Sequence, residues 1–366
     1  MLSFPSLTSI PEPDPAAGKR WSSEKVYEWY KNNGWIVGCN YIPGTAINQL
    51  EMWQPETFDA DCIDKELSWA HELGFNTIRV FLHHLLWEQD CFGFINRLNQ
   101  FLSIAGKYKI KTMFVLFDAV WDPYPKPGKQ PDPKINVHNS GWVQCPGADV
   151  LKNKDSYDAL RSYVEGVVGS FKDDDRVLLW DLFNEPDNTN ITSYKDDIYG
   201  VQKAELAMLL LKKTFEWVRT LNPKQPLTAA PWKDDWSDTS RISQLDNYMF
   251  SNSDVVSFHN YENKIDLERR IQCLERYNRP LICSEYMARH LGSTFQDVLP
   301  ILKQYHVGAL NWGLVAGKTQ THCPWDSWQT RYEAEPELWF HDIFRATGEP
   351  YDSHEVEFIK SVVKAA

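Results

Sequence analysis

The chain has 366 residues, of which 43% are hydrophobic and 24% charged, the balance of a globular protein with a sizeable core. A formal net charge of −12 and the lack of any run of basic residues argue against nucleic acid or an anionic membrane surface as partner. No apolar stretch approaches the roughly 20 residues that span a bilayer. The seven cysteines form no C-x-x-C pair, which speaks against a disulfide framework or a cysteine zinc site.

The first twenty residues, "MLSFPSLTSIPEPDPAAGKR", read as an N-terminal extension. They lack a basic start followed by an apolar run, so they do not read as a secretory signal as written. Short β-rich apolar runs then recur, each followed by a longer amphipathic segment. The strands fall at 35–41, 76–82, 111–117, 177–183, 226–230, 254–258, 280–284 and 307–312. Between them, 61–73 carries Ile63, Leu67, Ala70 and Leu73 on one helical face, and 201–221 is a long amphipathic run closed by Asn-Pro. Eight such units predict an α/β fold, a (β/α)8 TIM barrel, which needs about 250 residues before insertions. The excess falls in the extension and in long loops after strand three (118–153) and strand eight (313–335), all aperiodic. With no repeat, low-complexity tract or linker, residues 1–366 are expected to form a single domain.

The fourth strand ends in "VLLWDLFNEPDN", and a carboxylate at the mouth of a buried strand is costly unless something pairs or uses it. The seventh ends similarly, in "PLICSEYMAR". Active sites of this fold form at the C-terminal ends of the strands, and strands four and seven face each other across the barrel mouth. Glu185 and Glu285 can therefore converge over one cavity, although each alone also reads as a salt-bridged rim residue. Two converging carboxyls are the minimum equipment for glycoside hydrolysis.

From "GWIVGCNY" in strand one through "FNEP" to "GALNWGL" in strand eight, the chain resembles glycoside hydrolase clan A, most of all the family 5 group of cellulases, mannanases and related β-glycosidases. That resemblance implies a retaining β-glycosidase acting on glucan, mannan, xylan or galactoside-type oligosaccharides or polysaccharides. Glu185 would be the acid/base, Asn184 would hold the sugar 2-hydroxyl and Glu285 would be the nucleophile, with no cofactor or metal. Retention requires carboxyl groups about 5 to 5.5 Å apart. The resemblance also implies substrate-site roles for Arg79, as partner of Glu285; for His259 and Tyr261 in "SFHNYEN", where the Tyr hydroxyl contacts the nucleophile; and for Trp312 as an aromatic platform. Bland readings of the same residues are a surface Arg, a satisfied core His and packing aromatics.

The chain departs from the common cellulase pattern after strand three. It reads "FDAVWDP" where relatives carry an Asp-x-His arrangement, which puts the polymer preference in doubt. His84, Asp118, Trp121 and Trp142 are further expected substrate contacts. The two long loops, rich in Trp and polar residues, suggest a cleft narrowed to a pocket for exo action or short oligosaccharides. Other classes fit less well. A metal-dependent barrel needs more His and carboxylate ligands at strand ends. A Schiff-base aldolase needs a lumenal Lys, and Lys111 opens its strand at the wrong end. A non-catalytic sugar-binding barrel would have lost one carboxylate. A retaining transglycosidase differs from a hydrolase only in the acceptor that reaches the glycosyl-enzyme.

Overall fold

The computed structural model describes residues 19–190, 193 and 202–364, so that residues 1–18 of the expected extension lie outside the described residues. In chain order the main elements are α1 (Ser23–Asn33), β1 (Val37–Asn40), α2 (Gln49–Trp53), α3 (Ala60–Leu73), β2 (Thr77–Phe81), α4 (His84–Lys107), β3 (Lys111–Val115), α5 (Ala148–Lys152), α6 (Tyr157–Phe171), β4 (Val177–Asn184), α7 (Gln202–Leu221), β5 (Leu227–Ala230), α8 (Gln244–Asn252), β6 (Val256–His259), α9 (Lys264–Leu274), β7 (Leu281–Tyr286), α10 (Phe295–Gln304), β8 (Gly308–Trp312), the short pair β9 (Val315–Ala316) and β10 (Phe344–Arg345), and α11 (Ser353–Lys364).

The eight principal strands are parallel and lie in the order β5-β4-β3-β2-β1-β8-β7-β6. The seam between β5 and β6 is closed mainly through side chains. Asp254 N donates to Leu227 O at 2.7 Å, Leu227 N donates to Asp254 Oδ2 at 2.8 Å, and the hydroxyls of Thr228 and Ser257 meet at 2.7 Å. His259 N adds a bond to Pro231 O at 3.1 Å. The result is the (β/α)8 barrel. Each expected strand is present, but β7 runs past the apolar stretch through Glu285 to Tyr286, pairing His259 with Glu285. Glu285 is thus gripped within the sheet rather than carried on a loop.

The lumen is layered. Its floor is apolar: Met113, Leu178, Leu179, Val255, Ile282 and Leu310 pack beneath Val26 of α1, with Trp21, Trp29 and Tyr30 around it. Ser22 starts that helix by accepting a hydrogen bond from Lys25 N, and Gly34 ends it at φ 70°, a conformation that costs glycine little. The middle layer is polar, centred on Arg79. The top is aromatic, with Phe81, Val115, Val120 and Trp142 packed against Trp121 and Trp312. A larger apolar cluster fills the shell between the strands and the surrounding helices.

The floor is pinned by one buried ion pair. Arg219 of α7 donates to Asp254 at 2.6 and 2.9 Å, and Asp254 also accepts from Trp21 N at 2.7 Å, tying the segment before α1 to the closing seam. Asp254 is fully buried, so removing its partner strands a charge. Arg219→Met is expected to destabilise the fold by about 3 to 5 kcal/mol, read as a lower urea midpoint with an unchanged slope.

Candidate active site

At the mouth of the barrel, one side chain organises the rest. Arg79, on β2 opposite Asn40 of β1, is fully buried, and its three guanidinium nitrogens are all engaged. Nη1 donates to Glu285 Oε1 at 2.7 Å and to Asn40 Oδ1 at 2.8 Å. Nε and Nη2 both donate to Asp181 Oδ2, at 3.0 and 2.7 Å, and Nη2 also reaches Asn184 Oδ1 at 2.6 Å. Because the Asn184 oxygen is occupied, its amide nitrogen points the other way and donates to Asp118 Oδ1 at 3.0 Å. Asp118 in turn accepts from Trp142 Nε1 at 2.7 Å.

Glu285 has a second donor, the hydroxyl of Tyr261, which reaches Oε2 at 2.7 Å. Burial pushes the Glu285 carboxyl upward, while His259, the Arg79 charge and the Tyr261 bond pull it back. Glu185 stands in a different environment. Its Oε2 accepts from Asn188 Nδ2 at 2.8 Å and its Oε1 lies 2.7 Å from His259 Nδ1, with no cation bonded to it among the described residues. Burial raises its carboxyl to about 7, opposed by the Asn188 bond. Burial also lowers His259 to about 4, so at neutral pH the imidazole carries no charge. One proton shared between Glu185 and a neutral His259 accounts for the short contact.

The backbone at Glu185 is itself unusual. Its φ of 45° is left-handed, a conformation costing a non-glycine residue of order 1 kcal/mol or more. It is held there by Glu185 N to Ala230 O at 3.1 Å and Asn188 N to Glu185 O at 2.9 Å. This turn lifts the carboxyl off the end of β4 and over the lumen.

These groups open onto a cavity of about 470 Å³, within the range of small-molecule sites. Asp118, Trp121, Trp142, Asn184, Glu185, Tyr261, Glu285 and Trp312 line it, while Arg79 and His259 lie just beneath. The Trp312 ring is braced edge-on by Phe81 at 5.6 Å and Trp142 at 5.9 Å. His84 is the exception among the residues expected at the site. The His83 ring accepts from Leu85 N and begins α4, so the chain turns down the outside of the barrel. His84 ends buried against Cys145 Sγ, 3.6 Å from Nδ1, and lines no part of this cavity. Several lining residues were not anticipated: Asn188, Trp232, Trp325 and His341. Trp232 follows β5 directly, a strand-end position that marks it as a candidate; His341 lies 29 residues beyond the end of β8 and has no such mark.

Two groups of described residues bring three ligand-type atoms within 4.8 Å of one another: Glu185 with His259 and Glu285, and His83 with His84 and Cys145. In the first, the carboxyl oxygens already meet Arg79, Tyr261, Asn188 and His259. In the second, His83 is committed through Nδ1 to Leu85 N and through Nε2 to Gln144 O at 3.0 Å. Neither has the free donor set a metal needs.

Comparison with known proteins identifies the family and the fold. The model of the family described as Cellulase (glycosyl hydrolase family 5) matches residues 43–318. No curated protein matches the chain. Among solved structures, a GH5_18 protein from Streptomyces cattleya in complex with GlcNAc superposes with TM-score 0.57 at 12% identity, over 90% of this chain and 80% of that one. A hyperthermostable endo-1,4-β-D-mannanase from Thermotoga petrophila gives TM-score 0.56 at 13% identity, over 90% and 99%. The exo-β-1,4-mannosidase Op5Man5 from an Opitutaceae bacterium gives 0.55 at 15%, over 90% of this chain and 60% of its own. These likenesses carry the fold; the family match covers most of the chain. The chain is a member of glycosyl hydrolase family 5, an O-glycosyl hydrolase of clan A.

Proposed function

We propose that the protein is a retaining β-glycoside hydrolase in which Glu285 is the nucleophile and Glu185 the acid/base. One observation carries the reading: two carboxyls that bring an oxygen each within 4.8 Å of one another stand in different electrostatic environments. Glu285 is bonded to a guanidinium and a phenol, which favour its ionised form. Glu185 is buried beside a neutral imidazole, which favours its protonated form. Oxygens this close fit the paired carboxyls of retaining enzymes better than the wider gap that admits a water between them.

In the first step the ionised Glu285 oxygen attacks the anomeric carbon, and the bond to the leaving oxygen breaks as Glu185 delivers its proton to it. The product is a covalent glycosyl ester of Glu285, with the leaving group released as an alcohol. Glu185, now ionised, removes a proton from water, whose oxygen displaces the Glu285 carboxylate. Two inversions give retention. Trp312 offers an apolar face for the sugar ring, and the Asn184 amide, fixed by its bonds to Arg79 and Asp118, keeps a second N–H for a sugar hydroxyl. The endo-mannanase and exo-mannosidase among the structural neighbours make β-mannosides the first glycone to assay, ahead of glucosides, galactosides and xylosides.

Glu285→Gln is expected to reduce kcat by about 10⁴-fold or more in a 4-nitrophenyl β-glycoside assay while the circular dichroism spectrum is unchanged. Glu185→Gln should cost about 10² to 10⁴-fold on substrates with poor leaving groups and much less on activated aryl glycosides. An equal loss on both kinds would remove Glu185 from proton donation. The pH profile of kcat/KM should be bell-shaped. Activity is lost as pH rises through about 7, where Glu185 gives up its proton, and as pH falls through the raised carboxyl of Glu285. The alkaline limb should vanish in Glu185→Gln.

A further inference from the structure

We infer that the site is a pocket closed on its glycone side, so that the enzyme releases single sugars from the non-reducing ends of its substrates. This rests on the glycosidase reading above. If Glu285 attacks the anomeric carbon and Glu185 protonates the leaving oxygen, the transferred sugar lies over Glu285 and Trp312. The leaving group then lies beyond Glu185, beside Asn188, Thr189 and Trp232.

The glycone flank is walled by two loops that share many hydrogen bonds. Asn139 N donates to Thr319 O at 2.7 Å, Asn136 N to Gln320 Oε1 at 2.8 Å, and Gln320 Nε2 to Lys134 O at 2.7 Å. His138 N donates to Ser327 Oγ at 2.9 Å, and Trp328 Nε1 to His138 O at 2.8 Å. A chain of rings follows the same line: Trp121 to His138 at 6.5 Å, His138 to Trp325 at 6.5 Å and Trp325 to Tyr261 at 5.1 Å. Since Tyr261 bonds Glu285 itself, the wall runs from the loop after β3 across to the partner of the nucleophile. A second sugar continuing past the first on that side would have to pass through it.

The chemistry of the wall fits a chain end. His138 donates from Nδ1 to Cys323 O at 2.8 Å, and His341 from Nδ1 to Met287 O at 2.5 Å, with the two rings 5.5 Å apart. A carbonyl can only accept, so each Nδ1 carries the proton and each Nε2 is left as an acceptor, unbonded among the described residues. Burial lowers both imidazoles, His138 to about 4, which keeps them neutral. A terminal sugar presents a hydroxyl that can donate to such an acceptor. An internal sugar presents a glycosidic oxygen there, which cannot.

The test uses hexasaccharides of the preferred glycone carrying a fluorophore at the reducing end, with products sized at low conversion. Free monosaccharide and labelled pentasaccharide are expected as the sole early products. Methylating the terminal non-reducing hydroxyl should slow cleavage by about tenfold or more, the worth of one well-placed hydrogen bond. The double variant Asn136→Ala/Gln320→Ala, which removes the bond from Asn136 Nδ2 to Tyr332 O at 3.0 Å and the side-chain bonds of Gln320 and so loosens the wall, should begin to release longer fragments. Labelled di- to tetrasaccharides from the wild type at the outset, or indifference to the methyl cap, would overturn the closed pocket and leave the glycosidase reading standing. Failure to cleave any oligosaccharide or aryl glycoside would overturn both.

Discussion

The structure of the barrel mouth depends on a single buried guanidinium. Arg79 brings one positive charge to two neighbouring carboxylates, Asp181 and Glu285. A cation sealed from water is tolerated only when its donors and charge are met, and these two oxygens with the amides of Asn40 and Asn184 meet them. The cluster ties β1, β2, β4 and β7 together just below the site. The local charge is therefore already one unit negative before Glu185 is counted. A third carboxylate beside it resists ionisation until about neutral pH, and the described structure places the neutral ring of His259, not a cation, against it. The proposed division of labour between the two glutamates thus follows from where one arginine sits.

The same cluster explains why stability and chemistry are separated along the barrel axis. The floor is apolar and pinned by Arg219 and Asp254, so it excludes water from one end of the lumen. The mouth carries buried polar groups that would be costly in an ordinary core: Asp118, which burial raises to about 7, the paired carboxyls, and a glutamate in left-handed backbone. Such concentrations of shifted carboxyls and strained backbone are characteristic of functional sites.

Much of this was legible in the sequence because barrel strands have a strong local pattern. The apolar runs marked all eight strands, and the carboxylates at the ends of two of them marked the site. Arg79 stood out as a charge between apolar neighbours. What the pattern could not convey was the direction of chain travel after a strand. His84 and Asp118 both follow strand ends closely, yet α4 begins at His84 and carries it behind the barrel, whereas Asp118 stays at the mouth. Asn188 was hidden because its role depends on the turn at Glu185, which local propensity does not reveal. Trp325 and His341 enter from a loop folded back over the opening, a tertiary contact without periodicity.

In the proposed mechanism Glu285 becomes covalently attached to the sugar. The most direct measurement is peptide mapping by mass spectrometry after incubation with an activated 2-deoxy-2-fluoro β-glycoside of a cleaved sugar, which slows breakdown of the intermediate. One added glycosyl mass is expected, located on the peptide containing Glu285 and absent from Glu285→Gln. Turnover without a trapped adduct, or an adduct on any other residue, would contradict it.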